Sequence, residues 1–373
     1  MRVSYLAAIV TALWAATPAA AEPACEVGIY GEGADFVALT RSEDGLSYSF
    51  AGGTVGKVDG AGARVQCLSG VVEVDGAPWS SRDLRQTDTV FEADGVSLSG
   101  RLIEPAGAGP ETPLVIFAHG SERSGWLDTH RDPYQMVGRG LSVFVYDKRG
   151  TGASGGDYSQ NVPRLAADLA LAAAEAQRLA EGRFGRLGLI GLSQGGWVAP
   201  YAARSAGASF VAVGYGLAVD ILEEDAAEVE RALRAAGYGP EVIAQARQIT
   251  QATARIATTG TEGSVRALEP LRAQFAGQPW LAHVEGDFTG ILFNATTEEI
   301  LTEIWPYFAS LNVDWSVDPV EVIRGVSVPQ LWVLAGEDRE APVGLTLERL
   351  DALKREGQDL TVMVFPDTDH GMW

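Results

Sequence analysis

Ser193 stands in Gly191-Leu192-Ser193-Gln194-Gly195-Gly196, a G-x-S-x-G pentapeptide placed between an apolar run ending at Ile190 and a helix expected to begin near Gln194. A serine hydroxyl is a poor nucleophile in water. A tight strand-to-helix turn lifts Oγ clear of the sheet at a helix N-terminus, and small neighbours allow the close approach this needs. The hydroxyl proton then requires an acceptor, and the chain offers four histidines, His119, His130, His283 and His370. Only His370 follows the last apolar run, in Phe365-Pro366-Asp367-Thr368-Asp369-His370-Gly371, where a loop at the C-terminal edge of a sheet can return an imidazole over the turn. It reads as general base and later general acid, with Asp367 and Asp369 as turn residues.

An imidazole in that role is held in one tautomer by an acid. Asp338, in Gly336-Glu337-Asp338-Arg339 directly after the preceding apolar run, is the choice, with Glu337 and Glu340 close enough to compete. The order Ser, Asp, His agrees with it. A developing oxyanion needs donors, and Phe117-Ala118-His119-Gly120-Ser121 follows an earlier apolar run. The backbone N–H groups of Ser121 and Gln194 are the candidates, and His119 reads as a turn-stabilising side chain rather than a base.

These residues need elements to hold them. Leu114–Ala118, Leu141–Tyr146, Leu187–Ile190, Phe210–Val213, Leu331–Ala335 and Leu360–Phe365 are near-continuous apolar runs, the pattern of strands buried on both faces of a parallel sheet. Helical patterns alternate with them, over Val162–Ala180 and Val343–Glu356. A hairpin precedes, Thr89–Ala93 and Val96–Leu102, joined through Asp94-Gly95. From about 220 to 320 the alternation stops and the pattern is mostly helix, clearest over Glu223–Ala236 and Pro240–Ala257, which predicts a cap-sized insertion. Its aromatic residues, Trp280, Phe288, Phe293, Trp305, Tyr307, Phe308 and Trp315, either line a pocket over Ser193 or pack the insertion's own core. Residues 22–86 hold short runs broken by Gly and Asp, such as Val27–Gly31, Leu46–Phe50 and Val71–Val74, and predict a small antiparallel β domain. The catalytic part is then 87–373.

Taken together, the Ser193 turn, His119-Gly120-Ser121, the Asp147-Lys148-Arg149-Gly150-Thr151-Gly152-Ala153-Ser154 segment, the late Asp338 and the final His370 resemble the alpha/beta-hydrolase superfamily over roughly Thr89 to Trp373. Gly191–Gly196 and the helical insertion are most similar to bacterial carboxylesterases related to the serine aminopeptidase group. The resemblance implies a mostly parallel central sheet, acyl-enzyme chemistry and no cofactor. The chain departs from the family in ending three residues after His370, where relatives usually continue through a last helix. It also carries a single Gly120 where many esterases have a longer glycine run.

The expected activity is therefore hydrolysis of small carboxylic esters through Ser193, His370 and Asp338. A peptidase is the nearest rival, because amides share the acyl-enzyme route and Glu223, Glu224 or Asp225 could bind a substrate ammonium. Residues 22–86 are too few for the propeller of prolyl oligopeptidases. A non-catalytic binding protein on the same fold should have lost a member of the triad, and all three are present.

Composition bounds the rest. With 46% hydrophobic residues and 21% charged ones, the chain can build a sizeable core. A net charge of -21 argues against nucleic acid and anionic membranes as partners, since both demand clustered Lys and Arg. The start, Met1-Arg2-Val3-Ser4-Tyr5 followed by an apolar stretch and Ala19-Ala20-Ala21, has the make-up of a secretory signal peptide, residues 1–21, too short to anchor stably. Export makes the two cysteines, Cys25 and Cys67, a disulfide pair. No metal-ligand spacing is present. The sequence leaves the oligomeric state open.

Overall fold

The computed structural model describes residues 25–42 and 44–372, so the segment 1–21 lies outside the described residues. The strands, in chain order, are β1 (Gly28–Glu32), β2 (Asp35–Ser42), β3 (Gly45–Phe50), β4 (Val55–Lys57), β5 (Val65–Leu68), β6 (Val71–Val74), β7 (Ala77–Trp79), β8 (Leu84–Ala93), β9 (Val96–Pro105), β10 (Leu114–Ala118), β11 (Ser142–Tyr146), β12 (Leu187–Leu192), β13 (Phe210–Gly214), β14 (Gln330–Ala335) and β15 (Leu360–Phe365). Eight of them form the main sheet, ordered β15-β14-β13-β12-β10-β11-β9-β8. The six from β10 to β15 run parallel, and the β8–β9 hairpin closes one edge antiparallel to β11. Asp94 and Gly95 turn that hairpin with φ of 51° and 73°, the positive values that a two-residue turn demands at both positions.

The sequence dictates the layers. β10 and β11 are buried at every position, as continuous apolar runs require of strands covered on both faces. On one face lies α2 (Val162–Leu179), started by Asn161, whose side chain accepts from the Arg164 amide at 2.9 Å, and packing Leu165, Leu169, Ala172 and Ala176 inward. Alanine on that stripe lets the helix approach the sheet closely. The opposite face is covered by α1 (Arg131–Gly138) and, beyond it, by the N-terminal strands.

Those strands make two small antiparallel sheets, β1–β4 and β5–β7, as the short punctuated runs predict. In β2 the side chains alternate between two cores. Phe36 and Ala38 join Tyr134, Val137 and Ile103 of the main body, while Val37 and Leu39 pack against Val65, Val72 and Val74. Arg82 fastens the junction by donating to the carbonyls of Gly31 (2.7 Å) and Gly138 (3.0 Å). Cys25 is bonded to Cys67, which ties the start of the described chain to β5.

The insertion leaves the sheet after β13. It opens on α4 (Ile221–Ala235), where Asp220 and Glu223 form a reciprocal capping box worth about 1 kcal/mol. Then comes α5 (Pro240–Thr259), followed by short helices as far as Trp305–Ser310. Val229, Leu233, Ile249, Ile256 and Leu292 give this cap a hydrophobic core of its own. The chain rejoins the body through the helix Pro319–Arg324, and the helix Val343–Arg355 lies between β14 and β15.

Candidate active site

Ser193 sits between β12 and α3 (Gly195–Ala202) with φ of 52°, a strained value for a residue with a side chain. The strain is held because the turn admits no alternative. A Cβ on Gly191 would lie 2.0 Å from the Gly195 carbonyl oxygen, and one on Gly195 would lie 2.3 Å from that of Ala118. Both positions therefore require glycine, which explains the pentapeptide in packing terms. The helix starts at Gly195 with Gln194 as its N-cap, in agreement with a start near Gln194.

The loops after β14 and β15 converge on this turn. His370 Nε2 lies 3.0 Å from Ser193 Oγ, and His370 Nδ1 lies 2.9 Å and 3.1 Å from the two carboxylate oxygens of Asp338. Asp338 is buried and also accepts from the backbone amides of Glu340 (3.0 Å) and Ala341 (2.8 Å), which fixes its orientation. Of the three competing acids, it is Asp338 that meets Nδ1. No hydrogen bond or ion pair joins the Glu337 side chain to His370 among the described residues, and Glu340 approaches the other ring nitrogen, with Oε2 3.5 Å from Nε2. Burial disfavours a charged imidazole here, yet the hydrogen bond and charge of Asp338 outweigh it and raise the His370 pKa above its ordinary 6.5. Asp369 accepts from the His370 amide at 2.8 Å and so shapes the loop.

Ser121 and Gln194 both line the cavity that Ser193 faces. Neither backbone amide donates to another group among the described residues, so both N–H groups are available there. Gly120 brings that loop against the nucleophile turn, since a Cβ on it would touch Ser193 Cβ at 3.4 Å. His119 is buried, stacked 4.5 Å from Trp126, with Nε2 2.6 Å from the Tyr146 carbonyl oxygen, and so anchors the turn.

Three contributions escape sequence reasoning. Lys148 is buried beneath the loop, donating to the Gly120 carbonyl and facing Gln194 Oε1 at 3.5 Å; burial brings its pKa down to about 8. Glu122 is its counter-charge. Burial opposes ionisation of Glu122, but His119 and Lys148 draw its pKa down to about 2. The Asp147–Ser154 segment thus also carries the support of the loop, and Asp147 itself accepts from the Trp126 amide at 2.6 Å. The third is Asp287, which joins Glu224, named from the sequence as a possible ammonium ligand, and Glu340 in the lining of the cavity.

The cavity, about 340 Å³, lies between the Ser193 turn and the cap. Phe288, Tyr307, Phe308 and Trp315 are the insertion's aromatics that line it. Trp280 and Phe293 are packed in the cap core, and Trp305 lies against Gly260.

The chain belongs to the alpha/beta hydrolase family, whose model matches residues 115–373. Among solved structures it is similar to an esterase of Pyrococcus furiosus, at 15% identity and a TM-score of 0.49, covering 78% of this chain and 84% of that one. It is also similar to the acylaminoacyl peptidase of Pyrococcus horikoshii, at 14% identity and a TM-score of 0.47, with 92% of this chain covered but only 45% of the peptidase. The alpha/beta hydrolase GrgF of a Penicillium species is 18% identical, with a TM-score of 0.44, 77% of this chain and 91% of that one being covered. No curated protein matches the sequence. The fold suits a small-molecule substrate, and among the described residues no helix is long and apolar enough to cross a membrane.

Proposed function

We propose that this hydrolase cleaves carboxylic esters with Ser193 as nucleophile, His370 as general base and acid, and Asp338 as the acid that orients it. The supporting observation is the unbroken path from Asp338 to His370 Nδ1 and from His370 Nε2 to Ser193 Oγ, opening into a cavity lined with aromatic rings. Ser193 Oγ attacks the ester carbonyl carbon while its proton passes to His370 Nε2. The carbonyl oxygen becomes an oxyanion held by the Ser121 and Gln194 N–H groups, with the loop beneath them steadied by Lys148. Collapse breaks the bond to the alcohol, which leaves with the proton from His370. Water then attacks the acyl-serine, gives its proton to His370, and the acid departs as Ser193 regains the proton.

Export, with Cys25 and Cys67 oxidised in that compartment, belongs to the same reading and is supported by the disulfide. So does the division into residues 1–21, 22–86 and 87–373 with a cap at about 220–320, supported by the separate core of the cap. The test is turnover of short and long p-nitrophenyl esters by the protein and by Ser193→Ala. The variant should lose about 10⁴-fold or more in kcat/KM. Equal rates for the two proteins would refute the assignment, and cleavage of an aminoacyl anilide without ester turnover would replace esterase by peptidase.

A further inference from the structure

Three consecutive carboxylates open α4, and their surroundings separate them. Glu223 pairs with Arg349, whose Nη1 donates to Oε2 at 2.7 Å, and also caps the helix. Asp225 is buried and accepts from the amides of Phe288 and Thr289, each at 2.9 Å, so it holds the cap together. Of the three, Glu224 alone lines the cavity of Ser193, and its side chain has no hydrogen-bond or ion-pair partner among the described residues. Asp287, next to the Phe288 whose amide Asp225 holds, lines the same cavity and its side chain is likewise without a partner among the described residues, and Glu340 is present at its edge near His370.

Against these three carboxylates the cavity lining contributes no Lys, Arg or His side chain. Burial and the neighbouring carboxylates push Glu224 well above the usual range, and burial followed by Asp225 and Glu340 brings Asp287 to about 6. Asp287 is exposed and Glu224 half-buried, so the shift at Glu224 is the stronger guide of the two. Glu340 is largely exposed and has His370 Nε2 within 3.5 Å, so the uncompensated pair is Glu224 and Asp287, and carboxylates gathered without a counter-charge favour a cation between them. A metal ion does not fit, because the described residues contain no group of three His, Cys, Asp or Glu placed to hold one. An organic cation does, since the aromatic rings of Phe308 and Trp315 line the same cavity as Glu224 and Asp287, a combination that receives ammonium groups, while Tyr307 already carries the Arg123 guanidinium 5.7 Å from its ring centre.

We propose that the cavity over Ser193 selects a positively charged substrate, an ester bearing an ammonium group that Glu224 and Asp287 hold under the cap. This rests on the reading of Ser193 as nucleophile. The strong negative charge of the chain, -21, draws such substrates toward the site from solution.

The test compares the p-nitrophenyl ester of γ-trimethylammoniobutyric acid with its neutral isostere, in which a tert-butyl group replaces trimethylammonium. The ester of ε-aminocaproic acid forms a further arm that separates primary from quaternary ammonium recognition. The native protein should favour a cationic ester over the neutral one by about tenfold or more in kcat/KM. Glu224→Gln, and Glu224→Gln with Asp287→Asn, should erase most of that ratio, whereas Glu321→Gln, on an exposed helix elsewhere, should leave it in place. In parallel, calorimetry with Ser193→Ala should detect the methyl ester of γ-trimethylammoniobutyric acid, and adding Glu224→Gln should weaken that binding. Neutral and cationic esters cleaved equally, with a ratio indifferent to Glu224→Gln, would overturn the inference and leave the esterase reading standing. Cation binding without Ser193-dependent turnover would support the cation site and overturn the esterase reading. Absence of both would overturn both.

Discussion

Two acidic residues of this protein, Asp168 buried and Glu224 half-buried, are treated in opposite ways. Asp168, under the main sheet, meets Arg149 in a two-point pair, with Nε to Oδ2 at 2.7 Å and Nη2 to Oδ1 at 2.6 Å, and both side chains are almost wholly shielded. The side chain of Glu224, on the first helix of the cap, meets no such partner among the described residues. Burial raises the pKa of both, but the arginine works against it at Asp168, while at Glu224 the neighbouring Asp287 and Glu228 work with it. Asp168 is thus neutralised within the chain, whereas Glu224, which lines the cavity, is not.

Breaking the satisfied side of the comparison should have the larger effect. Asp168→Ala leaves the Arg149 guanidinium buried without its partner and should cost about 3–5 kcal/mol, read as a lowered urea midpoint. Replacing both residues by apolar ones of similar volume should recover much of that loss. If Asp168→Ala unfolds at the native midpoint, the pair contributes nothing and the contrast with Glu224 fails.

The unsatisfied side should respond with the opposite sign and less force. A carboxyl with a raised folded-state pKa binds protons more tightly in the folded protein than in the unfolded one. Its contribution is therefore lost as pH rises from the unfolded value through the folded one. Glu224→Gln removes that penalty and should stabilise the protein by roughly 1 kcal/mol at pH near 8, with little change at pH near 4. Thermal unfolding at the two pH values reads it. A destabilised variant at the higher pH would mean that Glu224 has a structural partner after all.

Much of the scaffold was legible in the sequence for a physical reason. A strand buried on both faces must be apolar throughout, so β10, β11 and β12 announce themselves, and a turn that crowds Gly191 against Gly195 admits few other letters. Asp338 and His370 were legible by their positions after β14 and β15. What pattern alone could not resolve was which of Glu223, Glu224 and Asp225 faces the cavity, because successive residues on a helix point about 100° apart and the phase depends on Arg349 and Thr289, far along the chain. Lys148 was hidden likewise, its target being the Gly120 carbonyl on another loop. The dual role of β2, with Phe36 and Val37 feeding different cores, erases the alternation by which a surface strand is recognised.

The central claim is that Ser193 is a nucleophile activated by His370, and covalent labelling tests it most directly. Incubation of the native protein with a fluorophosphonate, followed by peptide mass spectrometry, should place one phosphonyl group on Ser193, and labelling should collapse in His370→Ala. Labelling of a different residue, or of Ser193 at the same rate without His370, would contradict the account.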